Sequence, residues 1–215
     1  MIVIMDSLKI KNKGQARIFK NDQMESLTKT KPWIIYSIYI PVCSAMIYYG
    51  SKLPEFSLVF IAVLFLIAMI SWTLFEYLAH RYLFHLNPGS QWGKRLVYIF
   101  HGNHHEFPRD TERLFMPPVP SILIGSIVFG IFAGISYLLT GTINYSFIFF
   151  PGFITGYLIY VSMHYAIHTF APPKIFKGLW RNHHLHHYRY HDKGYGVSTP
   201  FWDIMFNTVP KNGKL

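Results

Sequence analysis

Four short windows of the sequence hold eleven of the twelve histidines in the chain. The windows contain His80 and His85; His101, His104 and His105; His164 and His168; and His183, His184, His186 and His187. Neutral imidazole is the commonest metal ligand among protein side chains. The clustering therefore predicts a metal centre assembled from segments that lie far apart in the sequence.

The spacing inside these windows suits helices that present several imidazoles on one face. His164 and His168 are four residues apart, which is about one helical turn. The second and fourth windows share the spacing i, i+3, i+4. His80 and His85 are five residues apart and do not share a face of a regular α-helix. We therefore expect that the helix is distorted there, or that His85 lies just past its end.

Ten neutral nitrogen ligands are more than one metal ion can use, and they fit two ions with about five ligands each. Structural zinc needs four ligands, usually including thiolates. The candidate ligands are His80, His85, His101, His104, His105, His164, His168, His183, His186 and His187. Their number, and an open position on each ion for O2 or water, favours two iron ions. Zinc is a possible substitute in the isolated protein.

Other polar residues are candidates to support these ligands. Glu76 lies one turn before His80 and is placed to orient that imidazole as a hydrogen-bond acceptor. Asp203 falls in a short helix predicted from about residue 200 to 209, where it fits a first-turn helix charge better than a catalytic group. His184 and His191 do not fit the helical spacing of the ten candidate ligands, so we expect them to support those ligands from behind or to lie on the surface. No catalytic residue is predicted beyond the metal ligands.

The composition indicates a membrane protein. The 215 residues are 51% hydrophobic, 18% aromatic and only 14% charged, and the apolar residues gather in long runs. The formal charge of +10 does not predict a nucleic-acid partner, since the sequence has no helix-turn-helix, zinc finger or basic-aromatic binding face. The single cysteine, Cys43, excludes an intrachain disulfide and a cysteine-ligated metal.

Four apolar runs are long enough to cross a bilayer, whose core of about 30 Å needs about 20 helical residues. They cover about residues 33–49, 56–79, 121–140 and 146–163. We predict an all-α integral membrane protein with four transmembrane helices and a cytosolic helical cap, residues 80–120 and 164–215, that holds the dinuclear centre. Residues 1–31 are predicted to be a basic cytosolic leader, and 32–215 one membrane domain. Gly125, Gly130 and Gly134 would allow close helix contact in the third run.

Two features of the sequence agree on the sidedness. With four spans, the end of the second, the start of the third and the end of the fourth lie on one face, and the histidine windows attach there. Every Lys and Arg except Lys52 lies on the same face. The positive-inside rule makes that face cytosolic. Buried helices of a soluble protein are a weaker alternative, because the run 56–79 carries a single charge near its end, Glu76.

The histidine motifs, HX4H, HX2HH, HX3H and HX2HH, resemble those of the fatty acid hydroxylase superfamily of integral membrane di-iron oxygenases. Three segments are similar to its sphingolipid and fatty acid 2-hydroxylase branch. They are WTLFEYLAHRYLFH at 72–85, RLFMPP at 113–118 and GYGVSTPFWDIMFNT at 194–208. The resemblance covers roughly residues 55–210.

The resemblance implies an O2-dependent hydroxylation of the acyl chain of a fatty acid or a sphingolipid such as ceramide, at C2, by two iron ions. Residues 1–31 do not match the cytochrome b5 domain that eukaryotic members of the branch usually carry. We therefore expect electrons from a separate cytochrome b5-like or ferredoxin-like protein, and a bacterial inner membrane in preference to the endoplasmic reticulum.

Two alternatives remain open at this point. One is sister chemistry on the same metals, namely sterol oxidation, carotenoid hydroxylation or desaturation. The other is a metal-binding or metal-transporting membrane protein. Transport sites tend to lie near the bilayer midplane, whereas these histidines lie at or beyond the ends of the spans.

Overall fold

A computed structural model describes residues 8–211, and within that range the regular structure is entirely helical. The α-helices are α1 (Asp22–Ser26), α2 (Pro32–Ser51), α3 (Leu58–Leu78), α4 (Gln91–Val97), α5 (Asn103–Glu106), α6 (Pro118–Thr140), α7 (Ser146–Thr169), α8 (Lys177–Tyr188) and α9 (Phe201–Met205). Two π-helical turns, Ala79–Phe84 and Tyr98–Gly102, and two short 3-10 turns complete the described chain. The all-α prediction is confirmed.

Four helical segments are long and apolar enough to cross a membrane. They are Pro32–Ser51, Leu58–Phe84, Thr111–Thr140 and Ser146–Thr169. Pro32 starts the first of them with a φ angle already suited to a helix. Gly141, in the left-handed conformation, ends the third. Their outward side chains are large and apolar, as lipid contact requires, and the four-span prediction is confirmed.

Residues 29–72 and 115–159 form one compact unit, in which glycines bring α3 and α7 together. A Cβ atom at Gly152 would lie 2.4 Å from the Phe65 carbonyl oxygen, and one at Gly156 would lie 2.5 Å from the Trp72 Cβ. Only glycine therefore allows the two helices to approach this closely.

The glycines of α6 behave less uniformly than the sequence predicts. A Cβ at Gly125 would lie 2.8 Å from the Tyr39 hydroxyl, so this glycine does make a close helix contact. A Cβ at Gly130 or Gly134 would meet no atom within 4 Å. The close contact that a glycine allows is therefore not made at these two positions by any described residue.

The second unit comprises residues 8–28, 73–114 and 160–211 of the described chain. It contains the ends of α3 and α7 and all of α4, α5, α8 and α9. The basic leader belongs to this unit: Asp110 accepts a hydrogen bond from the Ala16 N–H at 3.1 Å, and buried Arg113 pairs with Glu25 and with Asp110. The structure thus joins residues 8–28 to the histidine-bearing segments, whereas the basic composition of residues 1–31 predicts a separate leader.

Candidate metal centre

Ten histidines of this second unit gather into two groups of five. Site A contains His80, His85, His101, His105 and His186, and site B contains His104, His164, His168, His183 and His187. Within each site the candidate ligand nitrogens all lie within 4.8 Å of one another. These are the ten residues that the spacing in the sequence selected.

A π-helical turn brings the first pair of histidines together. The turn Ala79–Phe84 continues α3, and the His85 N–H donates to the His80 carbonyl oxygen at 3.2 Å. This i to i+5 hydrogen bond widens the turn by one residue, so that residues five apart share a face. The two rings lie 5.0 Å apart between centroids. Of the two alternatives open from the sequence, the structure therefore favours helix distortion, and His85 directly follows the distorted turn.

A second π-turn, Tyr98–Gly102, carries His101 and leads directly into α5. The Asn103 N–H closes it by donating to the Tyr98 carbonyl oxygen. The Asn103 side chain also donates to the carbonyl oxygens of Tyr98 and Ile99, at 2.9 and 2.7 Å. The buried amide thus adds hydrogen bonds to two carbonyl groups of the widened turn.

The two HX2HH windows each divide between the sites. In α8, His183 and His187 belong to site B, whereas His186 belongs to site A. His186 and His187 are adjacent, and adjacent residues of an α-helix point about 100° apart. The two rings therefore face different sites. The earlier window divides in the opposite sense, since His104 faces site B while its neighbours in the motif face site A. The His104 ring centroid lies 4.5 Å from that of His187.

The nitrogen distances in site A fit a metal ion. The His101 Nε2 lies 3.1 Å from the His80 Nε2 and 3.0 Å from the His105 Nε2. A neutral imidazole carries one proton, so Nε2 of His101 cannot donate to both neighbours at once. Metal–nitrogen bonds of about 2.0–2.1 Å place ligands at right angles about 3.0 Å apart. The cluster therefore has the separations that one ion at its centre requires.

Site B repeats this arrangement. The His183 Nε2 lies 2.9 Å from the His168 Nε2 and 3.1 Å from the His187 Nε2. The Nε2 atoms of His104 and His164 are buried and have no hydrogen-bond partner among the described residues. A buried polar atom without a partner is costly, and a metal ion would supply one. The residues present therefore fit a metal in both sites.

The protonation states agree with this interpretation. Burial, followed by the charges of neighbouring histidines, lowers the pKa of the histidines beyond the spans well below the ordinary value of 6.5. These are His85, His101, His104, His105, His183, His186 and His187. They are therefore neutral at pH 7, and neutral imidazole is the form that binds metal.

Comparison with known proteins places the chain. Residues 65–208 match the family model described as fatty acid hydroxylase. The chain belongs to the fatty acid hydroxylase family. It is 34% identical over 206 residues to the dihydroceramide fatty acyl 2-hydroxylase FAH1 of Arabidopsis thaliana, covering 94% of this chain and 83% of that protein. It is 32% identical over 199 residues to the ceramide very long chain fatty acid hydroxylase SCS7 of Saccharomyces cerevisiae, covering 91% and 50%.

A solved structure is similar over the same region. It is that of full-length scs7p, in which only the hydroxylase domain is visible. The TM-score is 0.82 at 31% sequence identity, and the match covers 92% of this chain and 73% of that one. The four-span architecture is therefore that of a membrane hydroxylase.

In this fatty acid hydroxylase, the loop of residues 194–198 and the residue just before it, Lys193, support two candidate ligands of site A. The His80 Nδ1 lies 2.6 Å from the Tyr195 carbonyl oxygen, and the His186 Nδ1 lies 2.7 Å from the Lys193 carbonyl oxygen. A carbonyl oxygen can only accept, so both rings carry their proton on Nδ1 and turn the Nε2 lone pair toward site A. The sequence does not predict the role of this loop, because backbone carbonyl groups leave no signal in residue types.

Asp203 holds the loop in place. Its buried carboxylate accepts hydrogen bonds from the N–H groups of Tyr195 and Gly196, at 3.0 and 2.8 Å, and from the Thr208 hydroxyl at 2.7 Å. A Cβ at Gly196 would lie 2.2 Å from the Thr199 carbonyl oxygen, so only glycine fits there. Asp203 does lie in the first turn of α9, and it reaches the ligands through the backbone.

Glu76 acts on the same loop and not on the His80 ring. Its Oε1 accepts from the N–H groups of Val197 and Ser198, at 2.7 and 3.0 Å, and its Oε2 accepts from the Ser198 hydroxyl. The expected hydrogen bond from His80 to Glu76 is wrong, because the Tyr195 carbonyl oxygen already occupies the His80 Nδ1.

The two remaining histidines lie beside the sites without joining either. The half-buried His184 has its ring centroid 6.4 Å from that of His168. The ring of His191 lies 5.4 Å from that of His105. Neither belongs to a group of converging nitrogens.

Proposed function

We propose that this protein is an O2-dependent di-iron hydroxylase that acts at C2 on the acyl chain of a fatty acid or a ceramide. The observation that carries the proposal is the similarity to dihydroceramide fatty acyl 2-hydroxylase FAH1 along 94% of the chain. The two groups of five histidines support it, because they offer two metal sites within the matched region.

Sites A and B would each hold one iron ion through five imidazole nitrogens, and zinc is a substitute for the isolated protein. Bound iron supplies the activation of O2 that oxidation of a C–H bond needs. The protein contributes the ligand geometry. The Lys193 and Tyr195 carbonyl oxygens fix the His186 and His80 rings, and the buried histidine cluster excludes bulk water from the metals.

The position of the ligands along the helices supports C2 as the site of reaction. His80 lies near the end of the candidate span Leu58–Phe84, and His164 and His168 occupy the last two turns of α7. The ends of spans lie at the level of the lipid head groups. The first carbons of an acyl chain can therefore reach the ligands, whereas a mid-chain carbon requires the acyl chain to fold back.

The chain is a multi-pass membrane protein, and we assign the histidine-bearing face to the cytosol. All Lys and Arg residues except Lys52 lie in the segments on that face. Cysteines introduced at Lys52 and Gly141 in a Cys43→Ala background should react with an impermeant reagent added outside cells, and a cysteine at Gly178 should not. Labelling at Gly178 from outside would contradict this topology. The bacterial inner membrane stays a prediction, since the relatives named above come from a plant and a yeast.

Electrons are proposed to come from a separate cytochrome b5-like or ferredoxin-like protein. The net charge of +10 and its concentration on the histidine-bearing face favour an acidic carrier, which the opposite charges would steer to that face. Turnover with such a carrier should fall as salt increases. Turnover that does not change with salt would argue against charge-steered docking.

The reaction is tested by expressing the protein with a matching electron donor and supplying an acyl lipid under ¹⁸O2. The expected product is a 2-hydroxy lipid with one labelled oxygen. The variant His186→Ala should lose the product, whereas His191→Ala, outside both sites, should keep it. A hydroxyl far from the carboxyl end, or an alkene, would refute the assignment to C2 while leaving the metal sites unaffected.

The two alternatives predict different products. Sister chemistry would give an oxidised sterol, a hydroxylated carotenoid or a desaturated chain in the same mass spectrometry. A metal transporter would move ions across proteoliposomes and leave the lipids unchanged. Metal flux without any lipid product would replace the proposed hydroxylase with a transporter.

A further inference from the structure

The short helix α9 exposes apolar side chains and buries its charged one, unlike a helix that faces water. Four apolar side chains in and next to it are exposed, namely Phe201, Ile204, Met205 and Phe206. Asp203 is the one charged residue between 200 and 206, and it is only 2% exposed because it turns inward to hold the 194–198 loop. A surface helix in water shows the opposite pattern, with charged residues outward and apolar residues inward.

The contacts of α9 with α3 give its depth. The Trp202 Nε1 donates to the Thr73 hydroxyl at 2.9 Å, and Thr73 lies within the candidate span Leu58–Phe84. At 1.5 Å per residue, Thr73 lies about 22 Å from Leu58 and the whole segment is about 39 Å long. Any stretch of about 30 Å within this segment includes Thr73, so Thr73 lies inside the hydrocarbon core whichever part of the segment the core covers. Trp202 therefore lies at hydrocarbon depth.

The chain after Trp202 follows α3 toward the histidines. The Phe206 ring stacks on the Tyr77 ring at 5.2 Å between centroids, and the Thr208 and Tyr77 hydroxyls are 2.9 Å apart. Hydrocarbon also requires that backbone groups be satisfied within the protein. The Ile204 N–H donates to the Pro200 carbonyl oxygen at 3.0 Å, and the Phe206 N–H donates to that of Trp202 at 2.9 Å. The segment thus meets the requirements of a lipid environment.

We infer that residues 201–206 re-enter the membrane beside α3 and present their apolar side chains to lipid acyl chains in the leaflet on the histidine side. From the sequence alone, this segment is expected to lie in the cytosolic cap, residues 164–215. The Trp202–Thr73 contact and the inward Asp203 together favour lipid as the partner of this surface over water. Because Asp203 also holds the loop that fixes His80, the lipid-contacting element and site A share one short stretch of chain.

Spin labels measure this insertion directly. The full chain with Cys43→Ala is placed in lipid nanodiscs, and single cysteines at Met205 or Ile204 are labelled. Ile70, exposed on α3, serves as the lipid control, and Arg189, exposed after α8, as the water control. The two test positions should match Ile70, with high accessibility to O2 and low accessibility to a water-soluble nickel complex. Values like those at Arg189, or low accessibility to both reagents because protein covers the site, would overturn the inference.

A second measurement uses the unmodified sequence, in case a label disturbs α9. Lipids that carry a photoreactive diazirine near the end of the acyl chain are activated around the native protein, which is then digested with trypsin. Cleavage after Lys193 and Lys211 releases residues 194–211, and cleavage after Arg181 and Arg189 releases 182–189 as the control. Adducts should fall within 201–206 and be absent from 182–189. Equal labelling of both peptides, or no adduct in 194–211, would contradict insertion.

Discussion

The two carboxylates that hold the 194–198 loop should respond differently when each is changed to its amide. In Asp203→Asn, both carboxylate positions face donors: Oδ2 accepts from the Gly196 N–H, and Oδ1 accepts from the Tyr195 N–H and the Thr208 hydroxyl. Whichever way the amide turns, its NH2 group faces a backbone N–H, so one buried donor loses its acceptor. Glu76→Gln differs, because Oε2 faces only the Ser198 hydroxyl, which can rotate and accept from the NH2 group.

The magnitudes follow from this count. An unsatisfied buried N–H costs about 1–3 kcal/mol. Asp203→Asn should therefore loosen the Tyr195 carbonyl oxygen that orients His80. Loss of such indirect support typically weakens metal affinity about 10- to 100-fold, which equals about 1.4–2.7 kcal/mol. The cost of the lost hydrogen bond can account for an effect of this size. Glu76→Gln keeps every hydrogen bond satisfied, and we expect less than about a threefold change.

Competition with a chromogenic chelator measures this effect on the two sites of the purified protein. In Asp203→Asn, one of the two dissociation constants should rise about 10- to 100-fold while the other stays unchanged, because the loop supports site A. Asp192→Asn is the control, since that carboxylate is exposed and lies two residues before the loop. Equal weakening of both sites, or a larger effect of Glu76→Gln than of Asp203→Asn, would refute the reasoning.

Three further predictions concern stability. The buried histidines of the folded, metal-free protein stay neutral, whereas the histidines of the unfolded chain gain protons below about pH 6.5. The free energy of unfolding should therefore be highest above that pH. On acidification it should fall by up to about 1.4 kcal/mol per pH unit for each buried histidine. Thermal unfolding at pH 7.5 and 5.5 checks the sign, and a flat profile would contradict the burial. Glu25→Ala removes one of the two carboxylates that pair with Arg113, together with the acceptor of the Ile18 and Phe19 N–H groups, and should cost about 1–3 kcal/mol. Asp22→Ala, in an exposed pair, should have little effect in the same denaturation assay. Gly152→Ala should destabilise by about 1–3 kcal/mol through its clash with the α3 backbone; Gly134→Ala should be tolerated, and equal effects would refute the packing argument.

The sequence alone predicts the helical fold and the ten candidate ligands, because the length of the apolar runs and the spacing of the histidines can both be read from it. Apolar runs of span length and imidazoles at helical spacing are written directly in the sequence. The hydrogen bond that orients the His80 ring cannot be read from the sequence, since its partner is the backbone carbonyl oxygen of Tyr195, 115 residues away. Glu76 has the right residue type and the right distance from His80 along the helix. Its carboxylate nevertheless accepts hydrogen bonds from the 194–198 loop, and the His80 Nδ1 faces the Tyr195 carbonyl oxygen instead.

The division of the histidine windows between two sites has the same origin. A sequence shows that three imidazoles share a helical stripe, but not that the middle one turns toward a different group. In the folded chain His104 and His105 are adjacent residues of α5 that face site B and site A, and the same holds for His187 and His186 in α8. Any movement of either helix backbone therefore displaces ligands of both sites. Loss of the carbonyl partner at Nδ1 lets one imidazole ring rotate about its own side-chain bonds. The helix backbone stays in place, so the histidines of the other site do not move. For this reason the loop that supports His80 and His186 can tune site A separately, although the two sites are built on the same two helices.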